Sequence, residues 1–266
     1  MSDLQAAFAK APALQATLVS LLCLLRGLPL FFRASPRTPL RVLGIIALDT
    51  LHVLRYSRLL PRTRIRELAQ FLDLEGCANA TWDHKPRCEE EFQAIRQRLE
   101  HAGLGSCLDA YLGHLRELES HRPSMGGDRR RFDEVRAYRE GVARLSLSTA
   151  AEIALGPGEH PEVDTLFRTL MQCQIIDDVL DYGEDMAAGL PSFLTASASL
   201  PLGFELTAAS VRRYSAGGQG LFPLRVALLV ITAMTKIVVR GGSGWFGVVQ
   251  GGNWQIRRVE RRPGSR

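Results

Sequence analysis

The chain has 266 residues, 46% of them hydrophobic and 23% charged, with a net charge of +5. That size and apolar content suit one large hydrophobic core, or at most two domains. Five Arg against one Glu in the closing WQIRRVERRPGSR leave the body near neutral, and with aromatics at 7% no basic, stacking face for nucleic acid is predicted.

Helical periodicity runs through the chain. LQATLVSLLCLLRGLPLFF, residues 14–32, is strongly apolar, but Arg26 interrupts it and Gly27 and Pro29 follow. A spanning helix needs about 20 uninterrupted apolar residues, so a buried or interfacial helix is expected, with peripheral membrane contact as the alternative. The opening MSDLQAAFAK fits a secretory signal poorly. In ALDTLHVLRYSR, Arg55 and Arg58 stand at i, i+3, where forked donors could pair with phosphate oxygens or simply face solvent. Residues 60–85 place Leu68, Leu72, Cys77 and Ala80 near one helical face, and residues 89–103 place Phe92, Ile95 and Leu99 at i, i+3, i+7 with Gly103 as C-cap. Residues 107–121 repeat the pattern with Leu108, Leu112, Leu115 and Leu118. RPSMGGD, 122–128, reads as a loop. A long helix follows to Gly156-Pro157-Gly158, then another over 162–188 closed by Gly189 and Pro191, and a further one over 221–240. No βαβ alternation, GxGxxG or GxxxxGK[ST] occurs, so the fold class is all-α, one large bundle over 1–240, with a Gly- and Arg-rich, weakly ordered tail over 241–266. The tail's alternative role is a basic strap for anionic lipid or diphosphate.

The five cysteines, Cys23, Cys77, Cys88, Cys107 and Cys173, form no CxxC pair and are odd in number. They are expected to be buried, reduced thiols of a cytoplasmic protein. The scattered histidines include no HxxxH or HExxH, which argues against zinc.

QCQIIDDVLDYGEDMAAGLPSFLTA, residues 172–196, sets five acids into nine positions, 177–185. Asp177, Asp181, Glu184 and Asp185 stand at i, i+4, i+7 and i+8 and line one helical face, while Asp178 lies about 100° around. A solvated acidic face would carry Lys or Arg at i±4 to relieve the repulsion, and none occurs between Arg168 and the end of the helix. An oxygen-only row of this kind suits a hard cation, Mg²⁺ or Mn²⁺, which keeps several waters and completes its shell with substrate phosphates.

Gln174, Asp177, Asp181, Gly183, Glu184, Asp185, Gly189 and Pro191 together resemble the second aspartate-rich motif of class I isoprenoid synthases, in the form it takes in the squalene/phytoene synthase branch. QIIDDVLDY is equally similar to the second motif of trans-prenyl diphosphate synthases. YREGVARL, from Tyr138, resembles the Tyr-x-x-x-Val-Ala-x-Leu helix of squalene/phytoene synthases. The resemblance covers about residues 90–196. It implies an all-α bundle with a central apolar cavity, prenyl diphosphate substrates, and Mg²⁺ held by Asp177, Asp178, Asp181 and Asp185. Tyr138 and Gln174 join Asp177 and Asp181 as its catalytic positions. The facing metal motif it requires is best met by Asn79 and Asp83 at i, i+4, with Asn in place of the leading Asp, and Asp73 and Glu75 higher on the same helix. Arg55, Arg58 and Arg144 are the expected diphosphate partners, Arg144 being the inward candidate over Arg139. The implied chemistry is ionisation of an allylic diphosphate and head-to-head condensation with a second isoprenoid. Chain elongation, cyclisation and a catalytically degenerate helical binding protein are the alternatives, as is a membrane-peripheral helical protein whose acidic helix binds a partner.

Overall fold

The computed structural model describes residues 18, 19, 21–23, 25, 26, 39–82, 89–158, 160, 163–216 and 222–250. No strand occurs among them. From Pro39 onward the helices are α1 (Pro39–Tyr56), α2 (Arg62–Trp82), α3 (Glu89–Leu99), α4 (Gly105–Ser120), α5 (Arg129–Leu155), α6 (Val163–Leu180), α7 (Tyr182–Ala188), α8 (Leu200–Ser215) and α9 (Phe222–Gln250).

Local chemistry sets most boundaries. Asp128 accepts from the amides of Arg130 and Arg131 and caps α5. Gly156, at φ 85°, ends that helix, and Gly189, left-handed at φ 74°, ends α7. Gly103, at φ 83°, breaks the path from α3 to α4 where a C-cap was expected. The single helix expected over 162–188 is divided at Asp181, whose φ −95° and ψ 11° leave the α region. Helices α1 and α8 fall outside the serial pattern. Pro201 and Gly203 disguise α8, although proline suits a first turn. A Cβ on Gly203 would sit 2.8 Å from Ser197 Oγ and 3.1 Å from the Leu194 carbonyl, so glycine is needed for contact. Helix α9 runs ten residues past the boundary expected at 240. Its Gly242 permits close packing, since a Cβ there would meet Val179 and Phe204 at 3.0–3.1 Å. Residues 251–266 lie outside the described residues. So does Cys88, while Cys23, Cys77 and Cys173 are buried and Cys107 is half-buried, where all were expected to be buried, and none of these four is in a disulfide among the described residues.

Helix directions follow from side-chain contacts. The Tyr56 hydroxyl donates to the Leu155 carbonyl at 2.7 Å, which brings the C-terminal ends of α1 and α5 together. Helix α2 returns against α1, with Arg41 paired to Asp73, and so runs antiparallel to α5. Ser146 on α5 donates to Glu75 on α2 at 2.7 Å. At about 1.5 Å per residue, the last turns of α2, with Asn79 and Trp82, therefore travel towards the Arg139 level of α5. Helix α6 packs antiparallel on α5 as well, with Arg139 on Asp178 and Arg144 over Phe167.

Two hydrophobic clusters result. Leu68, Phe71 and Leu74 of α2 join Leu108, Tyr111 and Leu115 of α4 and the Ala150–Leu155 end of α5 in one. Phe132, Val135 and Ala143 of α5 join Phe167, Met171, Ile175, Phe193, Phe204 and Val211 in the other. Helix α5 is the wall common to both.

Candidate functional site

Burial along α5 follows Phe132, Val135, Ala143, Ser146 and Ala150, a stripe of spacing three or four. Arg139 occupies the missing step of that stripe. Its guanidinium therefore turns inward, against α6, and reaches Asp178 Oδ1 at 3.1 Å. Burial works against that charge, but Asp178, Tyr138, Asp185 and Asp177 outweigh it and hold the Arg139 pKa above its ordinary value. The inward arginine is thus Arg139. Arg144, expected in that role, is exposed, and its guanidinium stacks 3.8 Å from the centre of the Phe167 ring.

Asp178 is 4% exposed. Its second oxygen accepts from the Phe193 amide at 2.6 Å. Residues 191–197 form a buried, irregular segment whose polar backbone needs partners. Asp178 supplies one. Thr195 supplies others, accepting from the Ser192 amide at 2.7 Å while its hydroxyl donates to the Leu190 carbonyl. Burial pushes the Asp178 carboxyl up to about 6, against the pull of Arg139 and of the Phe193 amide. Both Asp178 oxygens are engaged inside the protein, which sets this expected ligand apart from the exposed Asp177 and Asp181. The cause is the rotation of about 100° that separates it from Asp177.

Asp177 and Asp181 are exposed and Asp185 is half-buried. The amide of Asp181 bonds the Asp177 carbonyl at 2.8 Å and that of Asp185 bonds the Asp181 carbonyl at 2.9 Å, so the three keep four-residue steps across the break. Partial burial, then Asp181, raise the Asp177 carboxyl, Arg139 lowers it, and Asp185 raises it again. The row is thus self-repelling, and the Arg139 guanidinium of α5 acts against that repulsion. Gln174, one turn before Asp178, has its buried side-chain oxygen without a hydrogen-bond partner among the described residues. Tyr138 is committed elsewhere: its hydroxyl donates to Glu119 of α4 at 2.5 Å, and burial followed by that bond raises its pKa.

The facing motif is only partly described. Asn79 lies on α2 near its C-terminal end, and Asp83 lies outside the described residues. The acids above them are already engaged, Asp73 with Arg41 and Glu75 with Ser146. Among the described residues no three His, Cys, Asp or Glu side chains gather closely enough to enclose a metal ion. An enclosed cage is thus not built from them. A stepped, outward carboxylate row fits instead the open mode in which Mg²⁺ takes one or two carboxylates, several waters and substrate phosphates.

Arg55 and Arg58 are not part of this arrangement. Arg55 bonds His160 Nδ1 at 2.6 Å, and Arg58 lines a cleft of about 400 Å³ with His52, Glu152, Leu155 and Gly156. That cleft adjoins the C-terminal end of α5, whereas Arg139 is sixteen residues earlier, about 24 Å along the helix. The pair expected to bind the same diphosphate as the acids is therefore at the wrong end of the bundle. A second cleft, between α4 and α5, holds Tyr111, His114 and Glu152 and likewise excludes the acidic segment.

No protein-family model matches this chain, and no curated protein and no solved structure matches it either.

Proposed function

We propose that this chain is a Mg²⁺-dependent prenyltransferase of the class I isoprenoid synthase type, which ionises an allylic diphosphate and condenses it with a second isoprenoid. One observation carries the reading. The two segments whose residues resemble that family, Tyr138–Leu145 and Gln174–Pro191, meet across the α5–α6 pair through Arg139 and Asp178. The α2 segment bearing Asn79 heads for the same end of the bundle.

Asp177, Asp181 and Asp185 would hold the metal, with Asn79 and Asp83 as facing donors. Bound Mg²⁺ would neutralise the leaving diphosphate. Arg139 lowers the Asp177 carboxyl against burial and its acidic neighbours and fixes Asp178, which anchors the 191–197 segment beneath the row. The unpaired Gln174 oxygen offers an acceptor beside it. Apolar residues of the second cluster, Met171 and Ile175 on α6 among them, keep water from the interior side of the row.

The test is incubation with C10, C15 and C20 allylic diphosphates, with and without Mg²⁺, followed by diphosphate release and product analysis. Mg²⁺-dependent release that Asp177→Asn and Asp181→Asn abolish is the expected result. Release absent with all three, or equal in those variants, refutes the reading. A second reading, a catalytically degenerate helical binding protein, is favoured by the neutral Asn79 in the facing motif, and it predicts binding of prenyl diphosphate without turnover.

A further inference from the structure

Helix α9 has its amphipathic sense reversed. Its buried positions, Leu224, Leu228, Thr232, Thr235 and Val239, include two hydroxyls. Its outward positions are more apolar: Val226, Leu229, Val230, Met234 and Ile237, with Leu229 67% and Ile237 71% exposed. At 3.6 residues per turn these five fall within an arc of about 140°. The exposed cations Arg225, Lys236 and Arg240 line one edge of that arc. No Asp or Glu occurs anywhere between Glu205 and Glu260.

A continuous exposed apolar stripe of this size marks an interaction surface, and the charge decides what kind. A second copy of α9 packed face to face offers no acid to pair Arg225, Lys236 or Arg240, and packed antiparallel it brings them towards like charges. The helical residues near the N-terminus do not cover the stripe, because Leu18, Leu21, Leu22 and Leu25 are themselves exposed. No described helix is long and apolar enough to cross a membrane. An apolar stripe edged by cations suits instead a helix lying in the plane of an anionic lipid surface, with Val226, Leu229, Met234 and Ile237 in the acyl boundary and the long cationic side chains reaching the headgroups.

We propose that the outward face of α9 docks on anionic lipid surfaces. The inference uses none of the residues assigned to the prenyl diphosphate reading and stands independently of it. The full chain is mixed with vesicles of phosphatidylcholine alone, or of phosphatidylcholine with 30% phosphatidylglycerol, and the bound fraction is read by flotation at low and high salt. The expected result is binding to the anionic vesicles that weakens with salt. The triple variant Arg225→Gln, Lys236→Gln, Arg240→Gln should lose affinity by about fivefold per cation. The variant Leu229→Glu, Ile237→Glu should lose at least about tenfold, with an unchanged melting curve because both positions face outward. Absence of binding to the anionic vesicles overturns the proposal, as does equal binding by the Glu variant. A wild-type dimer in light scattering that the Glu variant converts to monomer, without vesicle binding, assigns the face to a second copy and overturns it too.

Discussion

Replacing Asp178 by Asn tests how the interior of the acidic segment is balanced. The carboxylate is 4% exposed, 3.1 Å from Arg139 and 2.6 Å from the Phe193 amide. Breaking a buried ion pair commonly costs 3–5 kcal/mol. Here the carboxyl is nonetheless raised from 3.8 to about 6, so burial outweighs both partners. At 1.36 kcal/mol per pH unit, the ionised form destabilises the fold by on the order of 3 kcal/mol relative to its neutral form. The folded protein holds this proton more tightly than the unfolded chain. The contribution of Asp178 to stability is therefore fully present below about pH 4 and is lost as pH rises through 6. Asn mimics the neutral acid and keeps an oxygen for the Phe193 amide, while Arg139 retains Asp177 and Asp185. The variant should thus be no less stable than wild type at pH 8, and its stability relative to wild type should fall by on the order of 3 kcal/mol on going to pH 4. Urea unfolding followed by circular dichroism at pH 4, 6 and 8 measures this. A variant less stable by more than about 2 kcal/mol at pH 8, with a pH-independent difference, would show that the Arg139 pairing dominates.

Asp181→Asn should leave stability within about 0.5 kcal/mol of wild type, since the side chain is exposed, yet abolish Mg²⁺-dependent diphosphate release; retained turnover on the best prenyl diphosphate contradicts the assignment. Mg²⁺ with diphosphate at about 100 times its Kd should stabilise the wild type by roughly 2.7 kcal/mol in thermal melts, and Asp177→Asn should reduce that gain; an unshifted wild-type melt counts against the site. Gly203→Ala should destabilise by about 1–3 kcal/mol, because the new methyl meets the Leu194 carbonyl and Ser197, and unchanged urea midpoints would mean the loop yields. Cys173 should react with a thiol reagent only slowly at pH 8, since burial and then Asp177 push it up to about 11; a rate equal to free cysteine would show the thiol is not buried.

The helices with clean apolar spacing were legible from sequence because 3.6-residue periodicity is a local property. That covers α3, α4, α5 and α6, with the Gly156 and Gly189 stops. Helix α8 was not, since Pro201 and Gly203 read as breakers until Ser197 and the Leu194 carbonyl are found close against Gly203. The site divides in the same way. Spacing alone separated Asp178 from the Asp177–Asp181–Asp185 face. The choice of Arg144 over Arg139 failed although Phe132, Val135 and Ala143 carried the signal, because an arginine within an apolar stripe is easily assigned to solvent. The distance between Arg58 and the acids depends on the direction of α1 relative to α5, which no local pattern encodes.

The break at Asp181 makes α7 a separate short unit with no fully buried residue, held by Tyr182 against the second cluster and by Asp185 towards Arg139. Opening it exposes little new apolar surface, so its opening free energy lies far below that of α6, which Met171, Cys173 and Ile175 anchor. Amide hydrogens of α7 should exchange with solvent orders of magnitude faster than those of α6. Two carboxylates of the row, Glu184 and Asp185, thereby ride on a unit that can shift while Asp177 stays fixed. Ion capture at this row would be read first as slowed exchange in α7, before any change in the rest of the bundle.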